Sequence, residues 1–156
     1  MKRRVLASGL TLALALFALA CPPGGQKASI PEPQRNAAKA ADDIAGSVSA
    51  MIKIKRELAS RNQITREEDL ALTQALLKVN SADQVLVAKF KALRAAAGPD
   101  DKVQLCTLFG TVTSAISELN NRGVLGVQNA EARSKLTTIL NTITGFTPII
   151  ASSLQC

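Results

Sequence analysis

With 156 residues and 47% apolar side chains the chain can build one ordinary domain, yet only 3% of it is aromatic, and Trp, Tyr and His are absent. The lack of His removes the commonest acid–base group near neutral pH and the commonest metal ligand. The formal charge of +7 does not point to nucleic acid: Lys2, Arg3 and Arg4 crowd the N-terminus, the other sixteen basic residues are interleaved with twelve acidic ones, and there is no aromatic platform on which bases stack.

Residues 1–20 have the three parts of an export signal. Met1-Lys-Arg-Arg4 is positive, Val5 to Ala20 carries no charge, and Ala18-Leu19-Ala20 supplies small residues for a peptidase. The apolar run falls short of the ~20 residues that span a bilayer as a helix. Phe17-Ala18-Leu19-Ala20-Cys21 resembles the lipobox of bacterial lipoproteins, although Ala18 stands where that family favours Leu and Leu19 where it favours a small residue. The resemblance implies that Cys21 is lipidated on sulfur and becomes the mature N-terminus, anchored in the cell envelope and facing the periplasm. Pro22 is not the Asp that resembles an inner-membrane retention signal, which favours the outer membrane. Ordinary cleavage after Ala20, leaving a thiol at Cys21, is the alternative.

Residues 21–34 form a Pro/Gly-rich linker, with Pro22, Pro23, Gly24, Gly25, Pro31 and Pro33. Extended at ~3.1 Å per residue, it reaches roughly 40 Å.

Residues 35–156 are predicted to be all-α, since Ala, Leu, Lys, Glu and Gln favour helices. The first helix, over 35–61, aligns Ala37, Ala41, Ile44, Val48, Met51 and Leu58 on one stripe. Thr65-Arg-Glu-Glu68 is a capping box that opens the second. That helix carries Leu72, Leu76, Val79, Asp83, Leu86, Phe90, Leu93 and Ala97 before Gly98-Pro99 stops it. Asp83 breaks this apolar seam. Either Ser81-Ala-Asp-Gln84 recaps the helix after a kink and turns Asp83 outward, or the helix is continuous and Asp83 is a polar register residue in the core.

Asp100 or Asp101 caps the third helix, whose stripe is Leu105, Phe109, Val112, Ile116 and Leu119, and Asn121-Arg-Gly123 closes it. The fourth, over 129–144, buries Ala132, Leu136, Ile139, Leu140 and Ile143. Gly145 interrupts it, and Thr147-Pro148 starts a short C-terminal helix. The expected architecture is an antiparallel four-helix bundle. An internal echo at an offset of 64 residues suggests a duplicated hairpin: Gly46, Val48 and Ile52 fall on Gly110, Val112 and Ile116, and Glu67, Leu72, Thr73 and Leu76 on Glu131, Leu136, Thr137 and Leu140. Chance likeness between Ala/Ser/Thr-rich helices is the competing explanation.

If Cys21 carries lipid, Cys106 and Cys156 remain as a pair in an oxidising compartment. The hairpin of the third and fourth helices returns the chain to the level of Cys106, so a disulfide is feasible.

No catalytic set stands out. Ser and Thr lack an activating base, no Ser-x-x-Lys occurs, and Asp42-Asp43, Glu67-Glu68-Asp69 and Asp100-Asp101 lie near helix starts, where carboxylates serve as caps. No metal or other cofactor is expected. Lys53, Lys55, Arg56, Arg61 and Arg66 form a basic run that suits an anionic surface, or simply a solvated helix end. The sequence therefore supports a non-enzymatic envelope lipoprotein, tethered to membrane through Cys21, whose helical module meets an envelope protein or lipid. A carrier of a small apolar ligand is the alternative, and a hydrolase built on Ser–Lys or paired acids is a third.

Overall fold

The first helix, α1 (Glu32–Ser60), begins inside the segment expected to be linker. Pro31 stands at its N-cap and Pro33 in its first turn, where a missing N–H costs nothing and a fixed φ favours the helix. The computed structural model describes residues 30–93 and 96–156, so the expected signal peptide, the expected lipidation site Cys21 and residues 21–29 of the expected linker lie outside the described residues. Asn62 ends α1 in the left-handed region, at φ 55°. Its N–H and that of Gln63 bond back to the carbonyls of Ala59 and Leu58, which closes the last turn.

Helix α2 (Arg66–Ala92) opens on the expected capping box, with Thr65 Oγ1 accepting from Glu68 N and Glu68 Oε2 from Thr65 N. It runs unbroken through Ser81 and Asp83, so the kinked reading of that stretch is wrong and Asp83 faces the core. Leu93 is already extended and Ala97 lies beyond the helix.

Helix α3 (Pro99–Glu118) is capped by Gly98, neither aspartate being the cap residue; Asp101 works from inside the first turn by accepting from Gly98 N at 3.4 Å. The chain does not close at Asn121-Arg-Gly123. It widens into a π-helical segment, Leu119–Val124, that keeps Leu119, Gly123 and Val124 buried. Gly123 fits here because it has no Cβ, which would sit 3.1 Å from Leu119 Cδ1 and 3.2 Å from Leu72 Cδ2. Gly123→Ala is expected to lose about 1–3 kcal/mol through overpacking. The exposed Gly46→Ala, where a Cβ meets nothing within 4 Å, should gain about 0.5–1 kcal/mol. Urea denaturation of the two variants distinguishes these signs.

Helix α4 (Ala130–Leu154) is one element where two were expected, passing through Gly145 and Pro148. Proline removes the N–H that would reach the Thr144 carbonyl, and Thr147 Oγ1 donates to that carbonyl instead, at 2.8 Å. Ile143, Ile150 and Leu154, on both sides of the proline, are all buried, so the helix packs on its neighbours along its length.

The four helices run up-down-up-down in a closed square. α1 packs on α2 and α4, α3 packs on α2 and α4, and the most extensive contact joins α1 to α4, the first helix to the last. The core is aliphatic, with Phe90 and Phe109 its only aromatic side chains among the described residues. The 64-residue echo is present in space. Thr65 caps α2 and Asn129 caps α4. Leu72, Leu76, Val79, Leu86 and Phe90 are buried, as are Leu136, Leu140, Ile143, Ile150 and Leu154 at the same offset. Ala41 and Val48 pair in the same way with Leu105 and Val112.

Candidate functional site

The basic run separates into different environments once folded. Lys53, Arg56 and Arg66 are exposed and form no ion pair among the described residues. Arg61 is exposed and pairs with Glu57 one turn back, at 2.7 Å. Lys55 does not belong to an exposed surface: only 8% of it is accessible. Its ammonium donates to Asp69 Oδ1 and, at 2.8 Å, to Thr73 Oγ1. The Thr73 hydroxyl in turn donates to the Asp69 backbone carbonyl, at 2.7 Å. Lys55 could have been found from spacing, because it continues the buried series Val48, Met51, Leu58 at helical steps. At the matching place in the second half stands Leu119, which is fully buried.

The remaining basic residues sit where α1 ends and α2 begins, roughly 40 Å along α1 from Pro31 at 1.5 Å per residue. They therefore face away from the end where the linker enters.

Of the paired acids, Glu67-Glu68-Asp69 and Asp100-Asp101 lie in the first turns of α2 and α3, whereas Asp42-Asp43, expected near a helix start, lie about three turns inside α1, because that helix begins at Glu32. Glu68 Oε2 caps Thr65 while Oε1 accepts from Gln128 N at 2.7 Å, which joins the start of α2 to the turn before α4. Partial burial pushes its carboxyl up, but the donors from Thr65 and Gln128 outweigh this and hold it below 4.5. Asp101 pairs with Lys89 at 2.7 Å, and Asp42 with Lys91 at 3.6 Å. Lys78 and Glu118, at 2.7 Å, join α2 to α3 at the other end. Asp83 is different in kind. It is wholly buried, and neither carboxylate oxygen has a hydrogen-bond partner among the described residues. Burial, with the Asp42 charge adding to it, pushes its pKa up from 3.8 to about 7.

Cys106 and Cys156 form a disulfide, with Cα atoms 5.6 Å apart. Gln155 adopts the left-handed conformation, φ 60°, and sends Cys156 back toward the first turns of α3. Beside the bond lies a shallow depression lined by Val103, Thr107 and Leu154. A second groove, ≈ 510 Å³, runs between α2 and α3 past Val85, Leu108, Thr111 and Ala115, with Lys78 and Glu118 at its rim.

Among the described residues no group of three or more His, Cys, Asp or Glu side chains is placed to hold a metal ion. No helix among them is long and apolar enough to cross a membrane. No family model, curated protein or solved structure matches the chain.

Proposed function

We propose that the chain is an exported envelope lipoprotein, held to a membrane by lipid on Cys21, whose four-helix bundle is a non-enzymatic interaction or structural module. The observation that carries this reading is the charged start, uncharged run and lipobox-like Phe17–Cys21 segment at the N-terminus. The Cys106–Cys156 bond supports it, because structural disulfides persist in oxidising compartments outside the cytosol.

In this arrangement the linker leaves the bundle at the start of α1, and Lys53, Arg56 and Arg66 point away from the anchoring membrane. Their partner is then an acidic protein or polymer further across the envelope, in preference to the head groups beside the anchor. Labelled palmitate should enter the protein in cells, and Cys21→Ser should abolish the label and move the domain from the membrane to the soluble fraction. A wild-type chain that never takes up palmitate defeats the anchor. A wild-type chain recovered with Met1 in the cytosol defeats export as well.

A further inference from the structure

Asp83 is a buried acid in a layer where no described residue offers it a cation. The Lys55–Asp69 and Asp42–Lys91 pairs bracket its position between α1 and α2. Within that bracket α1 carries Asp42, Asp43 and the exposed Lys53, which belongs to the Lys55 end. On α2 itself Lys78, Lys89 and Lys91 are committed to Glu118, Asp101 and Asp42. α3 meets this layer between Asp101 and Glu118, where residues 103–117 bear no charged side chain, and residues 136–156 in α4 bear none either.

The two ends of the α1–α2 seam are not equally strong. Toward Ser60, α1 buries Met51 and Leu58 and is pinned by Lys55 to Asp69. Toward Pro31, beyond the buried Ile44 and Val48, it buries only Ala37, Ala40 and Ala41, small side chains that remove little surface from water. Gln34 is also buried there, with its side-chain carbonyl oxygen unpartnered among the described residues. Among those residues the only ion pair across that half is the exposed Asp42–Lys91 contact.

We propose that Asp83 is a proton-operated latch: neutral, it lies dry in the seam and holds the linker-proximal half of α1 on α2; ionised, it draws in water and releases that half. The sign follows from the acid's raised affinity for its proton. With the folded pKa about 7 against an ordinary 3.8, the closed form is fully favoured below pH 4 and loses ground as pH rises to neutrality. Above about pH 7 the loss is complete and the curve flattens. Glu68, Asp101, Glu118 and Glu131 are lowered, so their contributions are intact near neutrality and are lost only as pH falls from about 5 downward.

Native-state hydrogen exchange on the purified protein from pH 5 to 8.5, corrected for intrinsic rates, tests the latch. Opening constants for amides of residues 37–48 should rise about tenfold per pH unit up to neutrality and then level. Amides of residues 51–60 should change much less. Asp83→Asn and Asp83→Leu should both remove the slope, whatever their absolute stability, so a variant that is merely weaker still reports. The proposal fails if Asp83→Asn keeps the wild-type slope, or if both halves of α1 open in parallel.

Discussion

Asp69→Ala is expected to destabilise the protein by about 3 kcal/mol, whereas Lys55→Leu should cost less than about 1 kcal/mol or add stability. The asymmetry arises because the two partners are buried to different degrees: the Lys55 side chain is 9% exposed and that of Asp69 35%. Removing the aspartate strands an ammonium in the seam with only Thr73 to receive it. Removing the lysine leaves a carboxylate that water still reaches. The leucine has a precedent in the molecule itself, since Leu119 fills the matching position in the second half. Urea denaturation at neutral pH measures both variants. Equal losses for the two would mean that the pair acts as an ordinary surface bridge and that burial of Lys55 is not what matters.

The second large effect concerns the disulfide. Replacing Cys106 and Cys156 by Ala frees a loop of 50 residues, and the chain-entropy relation puts the loss at about 4 kcal/mol. For a domain of this size that lowers Tm by roughly 15 °C. Because the bond acts by restricting the unfolded chain, the loss is global, although the end of α4, which it ties to α3 just after the left-handed Gln155, also loses its local tether. Calorimetry with and without reductant, alongside the double variant, checks this: reduction and substitution should give the same shift. A shift of only a degree or two would show that packing of Ile150 and Leu154 already holds the helix end.

Much of the bundle was legible because its signals are local and agree with one another. Thr65 and Glu68 are three residues apart, and their reciprocal bonds need nothing beyond the chain between them. The stripes of Val48, Leu72, Val112 and Leu136 follow from helical period alone. The misreadings have physical causes as well. Thr147-Pro148 looks like a helix start because a hydroxyl before a proline suits an N-cap, where it accepts from a free N–H; inside α4 the same hydroxyl donates instead, to the Thr144 carbonyl that the proline leaves open. Asn121-Arg-Gly123 looks like a turn, and only the tight fit of Gly123 against Leu72, about fifty residues earlier in sequence, reveals a widened helix. Lys55 was grouped with its charged neighbours, although the step from Met51 to Leu58 placed it inside. For Asp83 two readings were open, and continuity of α2 decided between them. The chemistry of a partner leaves no comparable trace in helical spacing.

The principal contact of α1 is with α4, so the first helix of the bundle completes its packing only against the fourth. Until residues near 154 are free to dock, a nascent chain can assemble one hairpin but cannot complete the square. Such long-range pairing delays closure, because the chain between the two helices must be brought together before their contact rewards it.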